Sequence, residues 1–527
     1  MRLFDSPSVS RIYIGVVALG AALAYLLAIP AEDAVILYEY SRNLANQGLI
    51  TYGTQNFTPV EGATDFLWML LIALFSKAGV SEYGAALIIT VLSAYGLYWT
   101  LCSRGVSAIL AAVSILCSGY FFSALQGFST LAFSALYVLC LALAFRADRR
   151  AYVAVLCMCL LRPDGVIWGI GAVAVLLLAA RREDVRGHLR DMLVFLIFPG
   201  LLYFLYRVVY FGEWLPLPFL VKASGTRDFL FFYRYSLANV EWVAVPIAVV
   251  MIATGASREL ILRAFLLFLL PVIFYGALRL EQNVGNRFLA PMFFGGLYLI
   301  GGVGRTRPAV AFVLLSVYLT WSQPYIGTLD TIKALVNSKR ENVYNISREI
   351  SSLNGRMLVT EAGRLAYYSG WRVDDSWGLN TPKFAKRMIE TSDLTAGHYD
   401  LINAHCDLQM LSAATVVKSP TPRSWDSHCA VVTQYVSNND YDVFLAPFYR
   451  GPTLGQAIRF RLNIPYEVVT DRCERHDIFA VSRSYPDREK LVGILMAHGA
   501  VPHDPKHQQY VMDTLCVTDQ KVHADVR

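Results

Sequence analysis

Residues 31–62 read AEDAVILYEYSRNLANQGLITYGTQNFTPVEG and follow directly on an apolar run at 11–29. They open with two adjacent carboxylates, Glu32 and Asp33, at the point where that run should leave the membrane. Charge at the edge of lipid is costly, so such a pair generally binds a ligand or carries out chemistry. A carboxylate there can take the proton of a hydroxyl within hydrogen-bond reach, and a pair can share a divalent cation when further oxygen ligands join it. Glu61 and Asp65 follow at the far end of the same loop. Cations recur at the ends of other apolar runs: Arg162 in RPDG, Lys222 closing YFGEWLPLPFLVK, and Arg287 in NRFLAP. Such groups suit a phosphate, which Arg can engage through two parallel hydrogen bonds.

The elements that must position these residues are membrane helices. Of 527 residues, 55% are apolar and only 16% charged, a balance that excludes an ordinary soluble protein. Apolar runs recur at about 11–29, 64–101, 106–124, 128–145, 151–161 with 166–180, 191–211, 241–255, 259–277, 287–303 and 308–323. No A-x-A-like cleavage site follows the first, which reads as an uncleaved span. SKAGVSEYG (76–84) splits the second into two helices, one of them re-entrant or interfacial, and the expectation is about 11 transmembrane helices. RADRR (146–150), RREDVRGHLR (181–190) and GRTR (304–307) are cytoplasmic by the positive-inside rule. The outer face then collects Glu32, Asp33, Glu61, Asp65, Arg162, Asp164, Lys222, Arg279, Glu281 and Arg287. A lipid-linked charged substrate requires that kind of convergence.

After residue 323 the apolar runs stop. Residues 324–527 carry mixed charge, alternating stretches (RMLVT, YDVFLA, HDIFAVS) and a helical-looking stretch at 382–390, which predict a soluble α/β domain on the outer side. The membrane module is accordingly 1–323, with 31–63 as its outer catalytic loop. Cys102, Cys117, Cys140, Cys157 and Cys159 lie in apolar runs and read as buried thiols. Cys406, Cys429, Cys473 and Cys516 lie in the polar region, where two disulfides are compatible with export and three pairings are open. His405, His428 and His476 lack metal-ligand spacing and read as surface or structural residues. The net charge of +6 sits between apolar runs and leaves no nucleic-acid footprint. Nucleotide-binding, zincin and serine-hydrolase motifs are absent.

Residues 31–68 resemble the first outer loop of membrane-embedded GT-C glycosyltransferases, in the branch with mycobacterial terminal arabinofuranosyltransferase and pilin arabinosyltransferases. That branch reads D-D-A-Y-I-x-x-R-Y-x-x-N-L and then V-E-G-Y-T-N-F-L-W; here the frame is Glu32-Asp33-Ala34-Val35-Ile36, Arg42-Asn43-Leu44 and Val60-Glu61-Gly62-Ala63-Thr64-Asp65-Phe66-Leu67-Trp68. GFSTLAF (127–133) resembles G-L-E-T-x-x-F, LLRPDG (160–165) resembles L-T-R-P-D/E-G, YFGEWLPLPFLVK (210–222) resembles Y-Y-G-x-x-x-P-N-x-x-x-x-K and NRFLAP (286–291) resembles G-R-Y-L-L-P. TEAGRLAYYSGWRVDDSWGLNTP (360–382) resembles E-A-G-x-x-x-Y-Y-S and D-x-x-G-L-N. The likeness is colinear over about 350 residues and leaves 400–527 uncovered. Glu32 stands for the usual Asp, Glu39 where Arg is common, Asp65 for Asn, and FST (128–130) lacks the acid of G-L-E-T.

The resemblance implies a polytopic GT-C protein of the bacterial inner membrane with a periplasmic soluble domain. It implies an inverting transfer of a sugar, arabinofuranose first, from a polyprenyl phosphate to a periplasmic glycan or protein acceptor. Hexosyl or aminosugar transfer from the same carrier, and a lipid-linked-substrate transporter or flippase, are the alternatives. Asp33 is the candidate base. Glu32 orients it, binds the acceptor, or shares a divalent cation (Mg or Mn) with Asp33 and Glu61 or Asp65. Arg42, Glu61, Asp65, Arg162, Lys222 and Arg287 are the candidate substrate-binding residues, with Lys222 and Arg287 leading for the phosphate. The competing local roles are helix capping for Glu32, Asp33 and Glu61, a turn-closing pair with Asp164 for Arg162, and snorkelling anchors for Lys222 and Arg287.

Overall fold

Chain contacts divide the protein into two units, Met1–Ala31 with Thr64–Glu213 and Arg227–Val336, and Glu32–Ala63 with Trp214–Thr226 and Asn337–Arg527. The computed structural model describes residues 7–53, 58–223, 238–276, 283–303, 306–322, 328–340, 342–407, 425–447 and 475–503. Arg279, Glu281, Cys473, Cys516 and the side chains of Lys222 and His476 lie outside the described residues.

The first unit is helical. Among the described residues, four helices are long and apolar enough to cross a bilayer: Ser8–Leu27, Glu82–Ser103, Arg182–Phe211 and Arg258–Gly276. At about 1.5 Å per residue three of them span roughly the 30 Å hydrocarbon layer and Arg182–Phe211 is longer than it, at about 45 Å. Apolar helices of 10–17 residues accompany them, including Phe66–Lys77, Thr130–Ala144, Ala151–Leu161 and Gly165–Ala179. Exposed Leu201, Leu202, Leu205 and Val209 on Arg182–Phe211 are placed as lipid-facing side chains would be. Inside that helix Leu193–Ile197 forms a π-turn just ahead of Pro199, where the wider turn accommodates a ring that would clash with the carbonyl of residue 195.

The run at 64–101 does divide, into Phe66–Lys77 and Glu82–Ser103. The run at 106–124 is broken as well: Ala108–Leu116 and Gly119–Leu125 meet at 59°. Close packing fixes the break, because a Cβ on Gly285 would stand 2.7 Å from Gly119 O and one on Gly119 would stand 2.9 Å from Thr328 Oγ1.

The second unit is built on a six-stranded mixed sheet: β1 (Arg356–Val359), β2 (Arg372–Asp375), β3 (Leu401–Asp407), β4 (Tyr441–Pro447), β5 (Arg475–Ser482) and β6 (Val501–Pro502). Their order is β2-β1-β3-β5-β4-β6. β2, β1 and β3 run parallel, whereas the β3–β5, β5–β4 and β4–β6 pairings are antiparallel. Leu358, Ile402, Ala404, Val432, Leu445 and Ile478 build the core between the sheet and the helix Trp425–Asn438. A disulfide joins Cys406 on β3 to Cys429 on that helix. The predicted helix at 382–390 is shorter, Pro382–Lys386, because Arg387 turns extended and its guanidinium holds Asp393 at 2.6 and 2.7 Å.

The loop 32–63 belongs to this second unit, and so do residues 214–226. Its helix Glu32–Gln47 packs on the helix Arg364–Ser369. Tyr40 Oη donates to Asn380 Oδ1 at 2.9 Å and accepts from Gly62 N at 3.0 Å, while Tyr52 Oη donates to Ala362 O at 2.7 Å.

Candidate active site

In the second unit, loops leave β1 and β3 in opposite directions along the sheet, β1 toward β2 and β3 toward β4 and β5. The crevice beyond the carboxyl ends of two such neighbouring strands is where open α/β sheets commonly place their ligands. Thr360 and Glu361 follow β1 directly, and His405 lies near the end of β3. Thr360 Oγ1 accepts from His405 N at 2.9 Å, tying the residue after β1 to β3.

The acid pair is held at this edge. Glu32 and Asp33 form the first turn of Glu32–Gln47, where negative charge is favoured by the helix dipole. The Glu32 carboxylate accepts from Gly363 N at 2.7 Å and from Arg364 N at 3.0 Å, and stands 3.8 Å from Arg364 Nε. It thereby satisfies the first amides of the helix Arg364–Ser369. Gly363 is required there, since a Cβ would lie 2.5 Å from Glu32 Oε1. Asp33, by contrast, is open to solvent. Glu32 is thus the docking member of the pair and Asp33 the accessible one. Desolvation raises the Glu32 carboxyl above the usual range, and Arg364 opposes that shift.

Three further titratable groups lie at this edge of the sheet. His405 and Asp477 are cross-strand partners on β3 and β5, both buried, with Nδ1 and Oδ1 3.1 Å apart. Glu361 lies within electrostatic range of His405, Glu32, Asp477 and Asp33. Its carboxyl is pushed up to about 8, first by desolvation and then by the neighbouring acids, with His405 pulling the other way. Glu361 carries no role in the sequence motifs. His405 is buried against Asp477, which fits the structural role expected of it, and no local signal announces a pairing 72 residues apart. His428 is buried too, bonded to Ser376 at 3.0 Å and stacked by Trp425, which fits the structural role.

The D-x-x-G-L-N element supports the same edge. Asp375 accepts hydrogen bonds from the backbone of Trp377, Gly378 and Asn380 and from Asn380 Nδ2. That cage orients Asn380 toward Tyr40 of the loop helix. Burial outweighs these bonds and pushes the Asp375 carboxyl up to about 6. Arg42 is also engaged in docking, pairing with Glu39, donating to Tyr367 O at 3.0 Å and lying 4.3 Å from the Tyr367 ring centroid. Glu61 is buried, and its carbonyl accepts from Leu217 N at 3.1 Å. It does not cap the following helix, whose N-cap is Asp65.

The first unit holds a separate cluster. Arg162 is extended because the residue before a proline is driven out of the helical region, so Ala151–Leu161 ends there. Its guanidinium makes a bidentate pair with Asp164 at 3.0 and 2.7 Å, and Tyr275 Oη donates to the same carboxylate. The turn-closing role expected for Arg162 is therefore present. Arg287 is presented by a left-handed pair, Gly285 and Asn286, residue types that tolerate positive φ. Both guanidiniums lie over the Phe288 ring, Arg162 at 4.8 Å and Arg287 at 5.0 Å, and Arg287 also covers Phe128 at 3.9 Å. Ser129 Oγ donates to Asp65 at 2.8 Å, and Arg162 and Arg287 both attract that carboxylate. Relative to the G-L-E-T and T-N patterns, the acid missing at 129 stands at 65, across one hydrogen bond. Two sequence departures thus offset each other in space.

A divalent cation on the acid pair does not fit these donors. Glu32 is committed to two amides and faces a guanidinium, and among the described residues no three His, Cys, Asp or Glu are grouped to hold a metal ion.

Residues 336–454 match a family described as a domain of unknown function (DUF8728). No curated protein matches the chain. Two crystal structures of ArnT from Cupriavidus metallidurans are similar to it, one in the apo state (TM-score 0.52, 13% identity) and one bound to undecaprenyl phosphate (TM-score 0.53, 12% identity). Each comparison covers 79% of this chain and 96% of the ArnT chain. The protein thus has an ArnT-like fold, and its apolar helices make it a polytopic membrane protein.

Proposed function

We propose that the protein is an inverting glycosyltransferase of the inner membrane that moves a sugar, arabinofuranose in the first instance, from a polyprenyl phosphate to a periplasmic glycan or protein acceptor. Asp33 takes the proton of the acceptor hydroxyl as that oxygen attacks the anomeric carbon, and the polyprenyl phosphate leaves as an anion. A single carboxylate base with in-line displacement inverts the anomeric centre. Arg287 and Arg162, with Lys222, hold the phosphate.

The observation that carries this reading is the division of labour in the acid pair. Glu32 is spent on docking the loop helix, so Asp33 is fixed on a rigid first turn and stays open to a substrate. Likeness to a fold solved with undecaprenyl phosphate supports the donor class. The Cys406–Cys429 disulfide supports an oxidising compartment for the second unit. The test is purified full-length protein with a panel of polyprenyl-phosphate sugars, scored for donor consumption and product anomer. Consumption of at least one donor with inversion is expected; no consumption across the panel, or retention, overturns the reading.

A further inference from the structure

At the end of the helical unit away from Arg162 and Arg287, two further arginines meet on one ring. The helix Ala151–Leu161 begins at that end and finishes at Arg162, whereas Ala290–Gly301 begins after Arg287 and finishes there. Arg104 closes the membrane-length helix Glu82–Ser103, and Phe145 closes Thr130–Ala144. Arg263 lies in the second turn of Arg258–Gly276, and Tyr298 in the last turn of Ala290–Gly301. The Arg104 guanidinium stands 4.9 Å from the Phe145 ring centroid and 5.2 Å from that of Tyr298, and the Arg263 guanidinium stands 4.8 Å from Phe145. The two rings meet edge to face at 5.9 Å. Gly302 leaves room for this arrangement, since a Cβ there would stand 2.8 Å from Arg104 Nε.

Arginines that merely snorkel extend their guanidiniums to water. These two fold back onto aromatic rings, and the Nε of each is buried without a hydrogen-bond partner. Among the described residues nothing accepts a hydrogen bond from Arg104, and no acid pairs with it. The acids of the flanking segments are engaged elsewhere: Asp148 with Arg150, and Asp191 with Arg149 and Arg190. Glu259 pairs with Arg263, but its side chain is 70% exposed, so it offsets little of the charge. Arg146, directly after Phe145, adds to the positive balance. Two guanidiniums gathered on one ring suit a phosphate, and basic sites between helices at a membrane boundary take lipid headgroups. Ile261 and Leu262, directly before Arg263, are exposed, as is Trp99 on Glu82–Ser103, which gives an acyl chain an apolar wall beside the charge. We infer that Arg104 and Arg263, held on Phe145, bind the headgroup phosphate of an anionic bilayer phospholipid at the membrane face away from Arg162 and Arg287. Inorganic phosphate offers the same oxygens to the guanidiniums but gains nothing from the apolar wall. The site takes no part in sugar transfer and does not depend on that reading.

The test is equilibrium binding of fluorescently labelled phosphatidylglycerol to delipidated full-length protein in a non-ionic detergent, with phosphatidylcholine and inorganic phosphate as competitors. Wild type should bind phosphatidylglycerol saturably, and either competitor should displace it only at roughly tenfold or greater excess. Arg104→Gln combined with Arg263→Gln should weaken binding by roughly tenfold or more, while Arg150→Gln, at an exposed pair with Asp148, should leave it unchanged. Phe145→Leu keeps both charges but removes the ring that gathers them, and should weaken binding severalfold; it also serves if the glutamine pair does not fold. Wild-type affinity in the glutamine pair or in Phe145→Leu overturns the inference, as does equal competition by phosphatidylcholine. Displacement by inorganic phosphate at the lipid's own concentration assigns the site to soluble phosphate and overturns the lipid. Loss of binding in Arg287→Ala but not in the glutamine pair places the lipid at the other end of the helices and overturns it too.

Discussion

Glu32→Ala separates docking from chemistry in the acid pair. The substitution leaves the amides of Gly363 and Arg364 without their carboxylate and removes the ion pair with Arg364. Charge-assisted hydrogen bonds contribute about 1.5–3 kcal/mol each. The Glu32 side chain is 28% exposed, so the lower end applies, and the 3.8 Å ion pair adds a few tenths of a kcal/mol at most. The sum is about 2–4 kcal/mol for Glu32→Ala, and about 1–2 kcal/mol for Glu32→Gln, which keeps an acceptor oxygen but loses the charge. For a unit of this size that corresponds to a fall in Tm of roughly 4–16 °C for the alanine variant. Thermal unfolding of the full-length protein, followed by near-ultraviolet circular dichroism, measures it. Limited proteolysis between residues 48 and 60 reports release of the loop. Asp33→Asn, at an exposed position, should melt within about 1 °C of wild type. Wild-type melting of Glu32→Ala, or equal destabilisation by both variants, refutes the assignment of docking to Glu32.

Reduction of the Cys406–Cys429 bond, or Cys406→Ser with Cys429→Ser, should cost about 3 kcal/mol for a closed loop of this length; an unchanged unfolding midpoint contradicts it. The raised Glu361 carboxyl makes the protonated form the one favoured by folding. Its contribution is complete below the unfolded value of 4.5 and lost as pH rises through about 8, so the second unit should unfold more easily at pH 9 than at pH 5. Glu361→Gln should reduce that difference, and an unaltered stability profile counts against the shift. Arg287→Ala should weaken undecaprenyl phosphate binding by roughly tenfold or more, while Arg150→Ala, at an exposed pair with Asp148, should leave it unchanged. Equal affinities in a lipid-binding assay would remove Arg287 from the phosphate site.

Much of the helical unit is legible in the sequence because its determinants are local. Hydropathy marks the long apolar runs, Pro163 ends the helix before it, and Gly285 with Asn286 marks the turn that presents Arg287. The break at Cys117–Ser118 carries no proline and depends on Gly119 meeting Gly285, a contact across 166 positions that no window of sequence contains. The strands at 356, 441 and 476 follow from alternation, yet the shortening of the helix at 382 follows from Arg387 leaving to hold Asp393. The acid pair is visible from its charge at the edge of an apolar run. That Glu32 docks while Asp33 stays open depends on amides 331 and 332 residues away. Glu361 stood inside a quoted motif without a role for the same reason: its neighbours come from β3, β5 and the loop helix.

The most direct test of Asp33 as the base is single-turnover transfer from a polyprenyl-phosphate sugar by wild type and Asp33→Asn, with donor binding measured on the same preparations. Loss of a base of this kind should slow transfer by roughly 10²–10⁴-fold with donor affinity and thermal stability unchanged. Transfer by Asp33→Asn at the wild-type rate would contradict it.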